Sequence, residues 1–156
     1  MLLNKIIIIT LVVILIAFLA ISREIRIAKV EEYRKYLKTL DAEGVLKEYF
    51  KAKNEKDILK LNETVVDEYK TSYDEQKNLE ELEILEIRYS EDGTKLFVKD
   101  LNDKGIGFVG AKTFDVTYYV KYKKDKVQDS GEHIWRYNLI KINDETPWVI
   151  ESYGFW

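Results

Sequence analysis

From Phe114 to Lys123 the chain alternates without a fault: Phe114, Val116, Tyr118, Val120 and Tyr122 against Asp115, Thr117, Tyr119, Lys121 and Lys123. Side chains of a β-strand leave its two faces in turn, so a run of this kind is stable only with one face buried and the other wet. β-branched and aromatic residues dominate the apolar parity, as strands favour. Any fold for this chain must therefore supply a sheet and a second layer to cover it.

Strand signals flank that run. His133 to Ile142 and Trp148 to Phe155 read as two more strands, joined through the turn Asn143-Asp144-Glu145-Thr146-Pro147, and the three together make an antiparallel meander. Leu82 to Tyr89 reads as an earlier strand, stopped by Ser90-Glu91-Asp92-Gly93. Thr94 to Gly110 reads as irregular: Leu96, Phe97 and Val98 suggest a short strand, and Asn102-Asp103-Lys104-Gly105 with Gly107 and Gly110 suggest loop. The covering layer comes from upstream. Asp41 is an N-cap candidate, and Ala42 to Asn54 then carries Val45, Leu46, Tyr49, Phe50 and Ala52 on one apolar face. Asn54-Glu55-Lys56-Asp57 breaks the pattern, Asp57 caps again, and Ile58, Leu59 and Leu61 open a second, shorter helix.

The N-terminus obeys a different rule. Ile6 to Ile21 reads IIIITLVVILIAFLAI, an uncharged run behind Lys5 and ahead of Arg23 and Glu24. Helped by its neighbours, it reaches roughly 25–30 Å as a helix, which matches a hydrocarbon layer. The expectation is a single-pass cell-membrane protein, with residues 1–22 as transmembrane anchor or signal segment, 23–40 as helical stalk and 41–156 as the folded domain. Ala20-Ile21-Ser22 offers the alternative of a cleaved signal. Arg23, Arg26, Lys29, Arg34 and Lys35 argue for a cytoplasmic domain, yet a segment of this kind normally exports the domain behind it, which places that domain outside. Val30, Tyr33, Leu37 and Leu40 form one narrow stripe, either a dimer seam or a face packed on its own domain. Two heptads are too few for a coiled coil, so packing is the expectation.

Composition limits the function classes. Lys and Arg total 25 against 28 Asp and Glu, a net charge of −3 with the signs interleaved, so no nucleic-acid partner is expected. Cysteine is absent, which removes disulfides, thiolate ligands and a lipoprotein anchor. No HExxH pattern, glycine-rich phosphate loop, serine elbow or EF-hand loop appears, so neither metal nor cofactor is expected.

The order of two helices, EGVLKEYFKAKNEKDILKLN, followed by a sheet ending in HIWRYNLIKINDETPWVIESYGF, resembles the nuclear transport factor two-like superfamily. Val45, Tyr49, Phe50, Ala52 and Leu61 carry the resemblance, with Trp135, Tyr137, Leu139, Lys141, Trp148, Ile150 and Gly154. It implies an α+β cystatin-like cone, helices across a curved antiparallel sheet, and closest kinship with small exported or anchored bacterial domains. The superfamily spans dehydratases, isomerases and binding domains, so the resemblance leaves chemistry open.

Candidate residues come from strand parity. Tyr49, Phe50, Tyr118, Trp135, Tyr137 and Trp148 are expected in the core, whereas Tyr119, Tyr153 and Trp156 fall opposite the more apolar parity or at the end, as contact residues. His133, the single histidine, and the carboxylates Asp100 and Asp115 are the acid-base candidates, none with a partner visible in sequence. A non-enzymatic binding or protein-interaction module, self-associating or with a protein partner, is the leading expectation. A small-molecule lyase or isomerase is the alternative, and an accessory subunit of a secretion or conjugation apparatus a third.

Overall fold

A computed structural model describes the backbone of residues 2–124 and 129–154, with side chains from Thr10 onward in those ranges, Glu75 excepted. The chain divides into two compact units, Met1–Tyr33 and Arg34–Trp156.

Helix α1 (Leu2–Leu37) supplies the first unit and runs on into the second. Ile6 to Ile9, the start of the uncharged run, lie outside the described side chains. From Leu11 to Ile21 the apolar residues are exposed, and Arg23, Glu24 and Arg26 then enter the same helix. Among the described residues no helix is long and apolar enough to cross a membrane. The expectation of a single-pass membrane localisation, with its transmembrane helix, is corrected on that finding.

The second unit is α+β, with helices packed on a four-stranded antiparallel sheet. Helix α2 (Ala42–Glu55) starts where Asp41 accepts a hydrogen bond from Gly44 N at 2.8 Å. It ends at Lys56, whose φ of 57° turns the chain into the left-handed region and makes the corner. Asp57 then caps α3 (Ile58–Glu63) through Lys60 N at 3.2 Å. Val65 runs parallel to Ile150, and the chain continues through a 3-10 turn at Asp67–Tyr69 and the short α4 (Tyr73–Gln76).

Strands β1 (Leu79–Tyr89), β2 (Gly110–Tyr122), β3 (Gly131–Lys141) and β4 (Val149–Gly154) lie in the order β1-β2-β3-β4. The three expected strands form the antiparallel meander β2-β3-β4, and the earlier strand β1 extends the sheet by pairing with β2. Register puts Phe114 opposite Tyr137 and Val116 opposite Trp135, so the apolar parity of β2 shares a face with that of β3. Helix α2 covers this face: Phe50 lies 5.4 Å from Tyr118 and 5.3 Å from Tyr137, ring centre to ring centre. Edge-on and tilted aromatic contacts of this kind add to the burial that holds the two layers together.

The segment read as irregular is a helix. Helix α5 (Glu91–Asp103) begins at Ser90, whose Oγ accepts from Gly93 N at 3.1 Å. Leu96-Phe97-Val98 is part of that helix, not a strand. Gly93 acts here as a close-approach residue, since a Cβ would come within 2.7 Å of Thr113 Cγ2. Helix α5 covers the other face of the sheet with Phe97 and Leu101, which gather Ile140, Ile106, Phe108, Ala111 and Val149 into a second small core. Both faces of the sheet are thus buried at one end, and a strict polar-out reading of β2 does not hold there.

Candidate functional site

Tyr49, Phe50, Tyr118 and Tyr137 are the buried aromatic residues of the helix-covered face, each at most 4% exposed. Trp135 and Trp148, also expected in the core, are only half-buried. Trp148 precedes β4 and packs closely on Gly110, where a Cβ would stand 2.5 Å from its ring. Lys112 Nζ sits 5.9 Å from the same ring centre, a cation–π contact.

Tyr153 departs from its expected face. A bulge between Asn138 and Leu139 in the β3–β4 pairing puts Ile150 opposite Leu139 and Tyr153 opposite Tyr137, so two residues of opposite sequence parity share one side. Tyr153 accordingly stacks on Trp135 at 5.7 Å and on Tyr137 at 5.5 Å, with planes 23° apart in both cases. Tyr69, from the 3-10 turn, closes over it at 4.8 Å. Tyr119 keeps its expected side, opposite Glu132 and Glu83 and half-buried. Trp156 lies outside the described residues.

These rings border a cavity of about 210 Å³, lined by Tyr49, Lys53, Tyr69, Thr71, Gln76 and Tyr153 among others. Its rim is tied down. Asn62 Nδ2 donates to Thr71 O at 3.0 Å and its Oδ1 accepts from Thr71 N at 2.9 Å, so the loop cannot swing without breaking both. Burial raises the Tyr49 hydroxyl well above the ordinary tyrosine range, and burial first, then the field of Tyr49, pushes Tyr153 up to about 12. Both are phenols rather than phenolates at neutral pH.

The opposite face carries a larger cleft of about 460 Å³ between α5, β3 and β4. Thr113 Oγ1 donates to Asn138 Oδ1 at 2.7 Å and Asn138 Nδ2 to Ser152 Oγ at 3.0 Å, a polar ladder across three strands. Asp115, expected on a wet face, is 6% exposed and lies under Arg136. Arg136 grips it with Nε at 2.8 Å and a terminal nitrogen at 3.2 Å, and Arg88 stands 3.8 Å away. Such bidentate pairing engages the carboxylate oxygens a general base would need. Asp100 is on the cleft wall, paired with Lys104 at 2.7 Å. His133 Nε2 is engaged 2.9 Å from the carbonyl oxygen of Asp129, with its ring against Tyr118. The three acid-base candidates are thus held apart in separate surroundings. Sequence reasoning missed Lys53, Tyr69 and the whole of α5; the capping signal at Ser90 and the four-residue step from Phe97 to Leu101 would have found the helix.

An α+β sheet domain with a tyrosine-walled cavity on its helix-covered side is the class this fold and site define. The chain belongs to the family described as domain of unknown function DUF4829, which matches residues 43–154. No curated protein matches the sequence. Among solved structures, a SEC-C motif containing protein from Rhodopseudomonas palustris is similar over 74% of this chain and 78% of its own, with 13% identity and a TM-score of 0.47.

Proposed function

We propose that this domain is a non-enzymatic binding module, a nuclear transport factor two-like cone in which the space between helix and sheet serves packing and the tyrosine cavity at its margin serves recognition. One observation carries the reading: the interior that an enzymatic relative would use for substrate is filled by Tyr49, Phe50, Tyr118 and Tyr137, with rings 5.3–5.9 Å apart. A ring-filled interior gives stability and leaves recognition to the rim. Tyr69 and Tyr153 are the contact residues in this reading.

Complementation in the native host tests it. Tyr69→Ala should abolish function while the domain stays folded, because it removes a wall of the cavity but no core ring. His133→Ala should complement fully at unchanged thermal stability. Loss of function in His133→Ala with an intact fold would instead promote the lyase or isomerase reading.

A further inference from the structure

The tyrosine cavity holds a cation that no carboxylate among the described residues contacts. Lys53 leaves the last turn of α2 and folds back over Tyr49, 5.5 Å from the ring centre, donating to the Tyr49 hydroxyl at 3.4 Å. Its neighbours Lys47, Lys51, Lys60 and Lys70 each reach a carboxylate at 2.6–3.8 Å. Among the described residues, no carboxylate lies within 4.0 Å of Lys53 Nζ. A half-buried ammonium has given up part of its hydration, and an anion in contact restores the lost free energy best.

Tyr49, 4% exposed, meets that ammonium with its hydroxyl oxygen, and an ammonium has three hydrogens, so donors remain for a guest. The cation therefore faces one small cavity, beside the tilted rings of Tyr69 and Tyr153. Glu68 also lines the cavity and disfavours an anion on its own side, while Lys70 is already neutralised by Asp67 at 2.6 Å. The guest's charge must then sit at Lys53.

We infer that the cavity seats a carboxylate carried on a small aromatic body, with the Lys53 ammonium as its donor and Tyr69 and Tyr153 against its ring. This assignment rests on the binding-module reading and names its ligand class. The test uses the full-length chain and two probes that differ only in the charged group, N-acetylphenylalanine and its amide, followed by calorimetric titration. The acid should bind saturably and about tenfold or more tighter than the amide, the increment of one charge-assisted hydrogen bond. Lys53→Met should erase that preference at an unchanged thermal midpoint. No saturable binding of the acid, or equal binding of acid and amide, overturns the assignment. If equal binding is found while Tyr69→Ala still fails to complement, the carboxylate is wrong and the binding module stands. If Tyr69→Ala complements, both fall.

Discussion

Buried phenols dominate the behaviour of single residues here. Tyr49, Tyr137 and Tyr153 all titrate above the ordinary tyrosine range because burial penalises the phenolate. The folded state therefore holds these protons more tightly than the unfolded chain, whose tyrosines ionise near pH 10. Their contribution is complete below about pH 10 and is lost as pH rises through the folded values, so stability should fall between about pH 10 and 12. Phenolate absorbance and the loss of folded signal should rise together in an alkaline titration; ionisation of these tyrosines well before unfolding would contradict their burial. Truncation should rank by depth. Phe50→Ala should cost about 3–5 kcal/mol, the range for emptying a large ring from a core, whereas Trp148→Ala, half-buried at a strand end, should cost clearly less. Chemical denaturation of the two variants gives the ordering directly.

Among the elements, α5 best shows one local rule competing with another. Alanine is a better helix former than glycine by about 0.8–1 kcal/mol, so propensity alone says that Gly93→Ala should stabilise. The Cβ, however, would meet Thr113 Cγ2 at 2.7 Å and Ser90 Oγ at 2.8 Å, and overpacking of this kind costs about 1–3 kcal/mol. Gly93→Ala should therefore destabilise on balance. Ser90→Ala should cost about 0.5–2 kcal/mol through loss of the cap, and should also loosen Arg136, which approaches the same hydroxyl at 3.5 Å. Melting curves for both variants test the pair of signs.

For the whole chain, the division falls between Tyr33 and Arg34, inside one continuous helix. The stripe expected on a separate stalk splits accordingly: Leu37 is fully buried in the second unit. Arg34 also reaches Glu63 at the end of α3, within that same unit. A chain beginning at Arg34 should fold, with the near-ultraviolet signature of its packed tyrosines. One beginning at Asp41 should lose about 2–5 kcal/mol, comparable with removing a buried leucine. Equal stability of the two fragments would place Leu37 outside the core.

Local chemistry was enough for much of this protein. The caps at Asp41 and Asp57, the corner between them, the apolar face of α2 and the alternation of β2 all involve residues within a few positions of each other, and each stood in the sequence as it stands in the fold. The candidate site was legible only in part. Tyr153 was visible as a contact residue, but its face depends on a bulge against Asn138 and Leu139, and one extra residue in a strand inverts every parity argument beyond it. Asp115 sits on the side that parity assigns, yet it is buried under Arg136, which is distant in sequence. Lys53 looked like one more solvated charge on a helix. Only the tertiary structure, by bringing α2, the turn at Asp67–Tyr69 and β4 together, set that ammonium among three tyrosines, because partnership between charges depends on distances in space that sequence separation does not encode.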